Sequence, residues 1–427
     1  MDIVCIVESA PAGIAPTAAL PKSRSNASLD SASSADNSPT LCEQARELGA
    51  ADNGAVALSH SREICFLDLT PGELSVSEAL GGRSPATIEC LRINRCRMDG
   101  KAFACLVDDL CSHDLPSLHT VDVSQNQLSG IEAGAALARL LSQARAVRFL
   151  SLGWNKLSLA DLRPVIADAT AAMSGAHNVE CLDLRANPLT APGNSRRSSK
   201  KLSKRLHAVE ADDEWLSSLV ACMPKLTHVQ LAQAAIGDKP LISLLHSLTR
   251  TSSAIEYIGL EWLGLGNRLP VLRAIMANLV SPSQVLHLNL SANHLGDSGV
   301  EVIATSDAVL SSLTLACNFI TERGTGMLAR WLPMSGLRTL DLSDNYFGDQ
   351  GVVSLLATHT SNAAAGTPAK AHGYYCTQLI ELGLTSCCLS DTSLRLITEA
   401  LRCNWAPLEL LRIIRNSRMS PGAKLLL

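Results

Sequence analysis

At 427 residues the chain exceeds the size at which one hydrophobic core keeps growing, so either several domains or a linear array is required. Hydrophobic residues make up 47% and aromatic residues only 3%, which argues against a core packed on aromatic rings. The formal net charge of −4 implies no global attraction to nucleic acid, and no run of about eighteen apolar residues offers a membrane span.

Residues 1–40 are rich in Ala, Ser and Pro, a composition that cannot offset its ordering entropy, and a disordered tail is expected there. Residues 1–7 hold one short apolar run, an early Asp and no basic start, so no signal peptide is expected. Residues 41–63 are expected to cap the domain that follows, with a short helix over 41–60. From Ile64 to the end the chain repeats one template, clearest over residues 285–356. Apolar residues stand at positions 1, 4, 6 and 11 and Asn at position 9, as in Leu337, Leu340, Leu342, Phe347 and Asn345. Alternation at positions 4 to 6 reads as a strand with one buried face; the Asn marks the turn leaving it, and a helix follows. Gly299, Gly324 and Gly351 fall in register six residues past the Asn. Gly324-Thr325-Gly326 is therefore read as a helix start and not as a dinucleotide loop.

First positions at Ile64, Ile88, Leu118, Val147, Val179, Leu226, Ile255, Val285, Leu310, Leu337, Leu379 and Leu408 define twelve copies, numbered here 1 to 12. Cys96 and Cys387 take the Asn position in copies 2 and 11, as the template allows, while Ala234 and Leu263 interrupt it in copies 6 and 7. Looser or rebuilt turns are expected at those two interruptions. The pattern L-x-x-L-x-L-x-x-N/C-x-L, with a period near 29 residues and full helices, resembles the ribonuclease-inhibitor-like leucine-rich repeat proteins. The resemblance implies an α/β solenoid, a horseshoe with a parallel β-sheet on its concave face and helices on its convex face. It is compatible with several functions, since that family includes ribonuclease inhibitor, activators of the Ran GTPase, immune sensor regions and ciliary structural proteins.

Two insertions break the period. The first, near 190–211, follows Asn187-Pro188-Leu189 and carries Arg196, Arg197, Lys200, Lys201, Lys204 and Arg205. Without these six, the balance of 36 basic and 40 acidic residues becomes −10, so an acidic array carries one basic loop. A solvated loop, a docking or regulatory loop for an acidic partner with Ser198, Ser199 and Ser203 as phosphorylation sites, and a nuclear-import signal all fit this composition. The second insertion, near 358–378, reads as a plain loop. The register places residues 425–427 inside a last helix, so this C-terminal tip is either an assembly contact or a truncated end.

The search for reaction chemistry finds no phosphate-binding G-x-x-x-x-G-K-[ST], no H-E-x-x-H and no G-x-S-x-G. Fourteen cysteines without a C-x-x-C pair read as reduced thiols in a cytoplasmic protein. No enzyme activity, cofactor or metal is expected. What remains is the inner wall. Positions 2, 3, 5, 7 and 8 are expected to face it, and they hold five of the chain's fourteen aromatic residues: Phe66, Phe149, Trp154, Tyr257 and Trp262. Arg148, Asp122 and Glu261 supply mixed charge on the same wall. The expectation is a non-enzymatic scaffold whose concave face binds a protein partner, with no membrane or nucleic-acid role. A structural subunit of a cytoskeletal or ciliary assembly and a Ran-type GTPase-activating protein are the alternatives, separated by cytoskeletal extraction and by a hydrolysis assay.

Overall fold

The computed structural model describes residues 4–6, 62–67, 84–171, 177–189, 215–251, 255–280, 287–356, 376 and 378–420. The basic residues of 196–205, the cap helix over 41–60, nearly all of the second insertion and the C-terminal tip lie outside these residues. Strand β1 (Val4–Ile6) is followed by twelve strands, one per copy: β2 (Glu63–Leu67), β3 (Cys90–Asn94), β4 (Thr120–Asp122), β5 (Phe149–Ser151), β6 (Cys181–Asp183), β7 (His228–Gln230), β8 (Tyr257–Gly259), β9 (His287–Asn289), β10 (Ser312–Thr314), β11 (Thr339–Asp341), β12 (Glu381–Gly383) and β13 (Leu410–Arg412). Strands β2 to β13 pair in chain order, every pair parallel.

Parallel neighbours need a crossover, and helices supply it on one side of the sheet: α1 (Gly100–Cys111), α2 (Gly130–Gln143), α3 (Arg163–Ala171), α4 (Trp215–Ala221), α5 (Asp238–Thr251), α6 (Leu269–Asn278), α7 (Gly296–Ala304), α8 (Glu322–Ser335), α9 (Gly348–Leu355) and α10 (Asp391–Arg402). A packed helix is about 10 Å wide and a strand about 4.8 Å, so the stack bends with its strands inside. The core lies between the two layers. Leu288, Leu313 and Leu340 are direct register partners and are fully buried, one above the next. The expected solenoid is the observed fold.

The glycines in register have a packing reason. A Cβ on Gly299 would stand 2.5 Å from Leu295 Cβ, and one on Gly351 would stand 2.4 Å from Phe347 Cβ. Position 11 thus packs against the first helical turn only where that turn has no side chain. The Gly324-Thr325-Gly326 segment lies within α8, as the register requires.

Two expectations change. Strand β2 pairs Ile64 with Leu91 and Phe66 with Ile93, so Ile64 holds position 4 of copy 1 and Phe66 holds position 6. Phe66 is only 3% exposed and belongs to the core, not to the inner wall. Copy 1 has no Asn to fix its register, and both positions 1 and 4 are apolar, so the sequence admits a slip of three residues. Within the expected tail, residues Val4–Ile6 form a strand that pairs in parallel with β13. Among the described residues the sheet therefore has thirteen strands, with β1 paired on the far side of β13 from β12.

The Asn column holds the turns together. Asn345 Oδ1 accepts from Asn318 N and Ile320 N of the preceding copy, both at 3.0 Å. Its Nδ2 donates to Leu315 O of that copy at 2.9 Å, and to Leu342 O and Ser343 O of its own. Asn126, Asn293, Asn318 and Asn416 likewise accept from two amides of the preceding copy. Cys387 imitates this arrangement: its thiol donates to Leu342 O at 3.3 Å, accepts from Asn345 N and is pushed far above the ordinary thiol range by burial. At the two interruptions the turns are rebuilt. Leu189 N bonds to Asn187 O and Ala234 N to Leu231 O, each within its own turn. Arg268 then donates to the Ile236 and Leu263 carbonyls while pairing with Asp238.

Asn345→Ala orphans buried donors and acceptors on both sides of one interface and is expected to lower stability by about 3 kcal/mol. Asn345→Cys should retain more than half of that, because copies 2 and 11 already use a thiol there. Equal losses in chemical denaturation would contradict the assignment.

Candidate functional site

The inner wall is built by the lattice that stacking creates. Positions 3, 5 and 7 of each strand alternate with the buried positions 4 and 6, so side chains of adjacent copies stand side by side. Position 5 often accepts from the backbone amide two residues further on, which fixes the strand exit. Asp122 Oδ1 accepts from Ser124 N at 3.0 Å, Asp183 Oδ1 from Arg185 N at 2.9 Å and Asp341 Oδ1 from Ser343 N at 2.9 Å. These carboxylates already satisfy backbone donors, which ties part of the wall's acidity to structure.

Position 8 has a distinctive backbone. From copy 2 to copy 12, Arg95, Gln125, Trp154, Ala186, Gln233, Trp262, Ala292, Cys317, Asp344, Ser386 and Arg415 all have φ between 51° and 60°. This left-handed residue reverses the chain so that the next side chain, usually Asn, turns inward. A side chain there costs about 1 kcal/mol or more. The bonds of the Asn column offset that cost in every copy that has them. Trp154 and Trp262 occupy this strained position and are 49% and 54% exposed.

The expected site residues fall into two groups. Asp122, Arg148, Phe149 and Trp154 lie on or beside β4 and β5, with Phe149 exposed and Arg148 placed 3.8 Å from Glu180. Tyr257, Glu261 and Trp262 lie on and just after β8. Three strand spacings, about 14 Å, separate the groups.

The second group contains a polar cluster. Glu261 Oε1 accepts from Asn289 Nδ2 at 2.7 Å, Gln230 Nε2 at 3.2 Å and the Tyr257 hydroxyl at 3.3 Å. Its other oxygen, Oε2, is buried and meets no donor among the described residues. Burial raises the Glu261 carboxyl above its ordinary value, against the lowering effect of its own backbone N–H, of the Gln230 and Tyr257 donors and of the nearby Arg185. Burial, aided by the Glu261 charge, pushes the Tyr257 hydroxyl up to about 12. The Tyr257 ring stacks on His228 with centroids 6.0 Å apart. Gly259 makes room for this arrangement, since a Cβ there would stand 1.9 Å from Gln230 Oε1. Arg185, one further copy away, is held by Asp183 through Nη2 to Oδ2 at 2.8 Å. Neither Gln230 nor Asn289 stands out in the sequence. Writing the copies beneath one another and reading positions 3, 5 and 7 across three of them would have found both.

The described cysteines are free thiols, and among the described residues no three His, Cys, Asp or Glu side chains are grouped to hold a metal ion. Among the same residues no helix is long and apolar enough to cross a membrane.

Two comparisons with known proteins point to repeats of this kind. The family model described as Leucine Rich repeat matches residues 284–304 and 337–356. Ribonuclease inhibitor of Sus scrofa is 26% identical over 327 residues, covering 73% of this chain and 70% of that protein. The NACHT, LRR and PYD domains-containing protein 13 of Homo sapiens is 26% identical over 55% of this chain, which spans only 23% of that protein. Among solved structures, the leucine-rich repeat-containing protein LegL7 from Legionella pneumophila is 13% identical with a TM-score of 0.46, over 85% of this chain and 96% of that one.

The Glu261 cluster makes a pH prediction. A carboxyl whose value is raised by folding destabilises the fold when ionised, so its contribution improves as pH falls toward the ordinary value of 4.5. Glu261→Gln keeps an acceptor and removes the charge. It should melt above the parent at alkaline pH, and the difference should close on acidification; a difference independent of pH would contradict the burial argument.

Proposed function

We propose, for a chain that is a ribonuclease-inhibitor-like leucine-rich repeat protein, that the inner wall of its horseshoe captures a protein partner and catalyses no reaction. The observation that carries this reading is the exposure of Trp154 and Trp262. In a chain with five Trp, two stand half in solvent at a backbone position that is costly for any side chain. Neither packing nor backbone conformation accounts for them there, whereas partner binding does: large rigid rings bury much area at little entropic cost. Between them lies the polar floor of Gln230, Tyr257, Glu261 and Arg185, which supplies orientation instead of bulk affinity. Phe149 extends the first apolar anchor, and Asp122 and Arg148 flank it with opposite charges. The free thiols fit a reducing compartment, and the cytoplasm is the proposed location.

The test exploits the backbone. Asn tolerates a left-handed conformation, so Trp154→Asn with Trp262→Asn removes both rings without disturbing the turn. Affinity capture with mass spectrometry identifies the main partner of the parent protein. The double variant should melt like the parent and bind that partner at least about thirtyfold more weakly. Undiminished binding would remove the two tryptophans from the interface.

A further inference from the structure

A second surface is centred on position 10, one residue past the Asn column, where the inner wall meets the rim. Position 10 of copies 8, 9 and 10 holds His294, Phe319 and Tyr346. The His294 and Phe319 rings are stacked, with centroids 5.2 Å apart and planes inclined by 14°. Phe319 is 56% exposed and Tyr346 68%, and His294 is exposed too. The turns that carry them are locked in register by the Asn column, since Leu295 N bonds to Asn318 Oδ1 and Ile320 N to Asn345 Oδ1. Position 10 of the preceding copy is Gly264, whose missing side chain leaves open space beside His294. The result is a ladder of three ring-bearing side chains in three consecutive turns, which the fold itself does not need: none of the three is buried.

The charge around the ladder is mainly acidic, with Asp297, Glu322 and Asp349 at the starts of the helices that follow, although Arg323 lies four residues past Phe319 and Arg338 opens copy 10 at the far end of its strand. Positions 3, 5, 7, 8 and 10 of copies 8 to 10 include Asp341 and Asp344 and contain no Lys or Arg. Both carboxylates act on the Cys317 thiol of copy 9, which, after burial, raises it above its ordinary value and places their field across neighbouring turns. Neither forms an ion pair with Lys or Arg among the described residues. Exposed aromatic faces beside unneutralised carboxylates attract a cation with a planar or apolar body. They repel phosphate, so the stacking surface is unsuited to a nucleic-acid strand.

We propose that the rim ladder of His294, Phe319 and Tyr346, with Asp341 and Asp344 beside it, docks an arginine-bearing segment of a protein partner. The guanidinium stacks on a ring face while its N–H groups donate to a carboxylate. This surface is separate from Trp154, and its occupant does not depend on capture by the inner wall.

The test is fluorescence anisotropy on the full chain with a labelled Arg-Gly repeat peptide, set against Glu-Gly and Pro-Gly peptides and a single-stranded oligothymidylate. The parent should bind the Arg peptide alone. Phe319→Asn with Tyr346→Ser should weaken binding at least about tenfold, and Asp344→Asn about threefold. Residues 319 and 344 have φ of 57° and 56°, which Asn accepts, and melting curves matching the parent verify the fold. Trp154→Asn should leave this binding unchanged. Failure of the parent to bind the Arg peptide, equal binding of the Glu, Pro or nucleic-acid probe, or variants that bind like the parent would each overturn the proposal.

Discussion

A buried turn that leaves a strand has backbone amides facing no other strand and carbonyls facing no water. In this chain that problem recurs once per copy, and the side chain at position 9 answers it. An ordinary hydrogen bond contributes about 1 kcal/mol net, but an orphaned buried group costs about 1–3 kcal/mol, so the penalty avoided outweighs the bonds made. Asn suits the position because one amide both accepts two N–H groups and donates to carbonyls of two copies, as Asn345 does. The leucine columns provide the driving force of the stack, and the Asn column decides which register the stack adopts.

The same constraint shapes the surface. For the Asn to point inward, the residue before it must be left-handed, and every described copy from the second onward places it there at φ near 55°. Side chains at position 8, on the inner wall, and at position 10, just beyond the Asn, are then turned away from the core. Most residues at those positions are exposed, with little consequence for the core, although the small Ala292 is buried. Trp154, Trp262, Phe319 and Tyr346 are displayed this way. Recognition and folding therefore occupy different columns of one template, which is why a solenoid can change partners without changing its fold.

The columns that make the fold were legible because they recur: Leu340, Leu342, Asn345 and Phe347 announce a unit that their counterparts in other copies repeat. Copy 1 was misread by three residues because it lacks the one polar marker that fixes register, leaving only an apolar alternation of Ile64 and Phe66. Strand β1 was hidden inside a segment whose average composition is that of a tail, although Val4–Ile6 is apolar and short enough to pair on an edge. The Glu261 cluster was half legible. Tyr257 and Glu261 were named as wall residues, but Gln230 and Asn289 join them only once neighbouring strands are laid 4.8 Å apart. The rim ladder was missed because position 10 counted as turn, where an aromatic residue in a single copy carries no message and only three in succession do.

The central claim, that position 9 couples each copy to the last, is tested most directly by hydrogen exchange at individual turn amides. Asn318 N and Ile320 N donate to the next copy's Asn, whereas Leu189 N and Ala234 N bond only within their own turns because Ala234 and Leu263 interrupt the column. The account predicts exchange at Leu189 and Ala234 roughly tenfold or more faster than at Asn318 and Ile320 under native conditions. Equal protection at all four amides would mean that the strands and leucines hold the copies in register unaided, and the coupling assigned to the Asn column would be wrong.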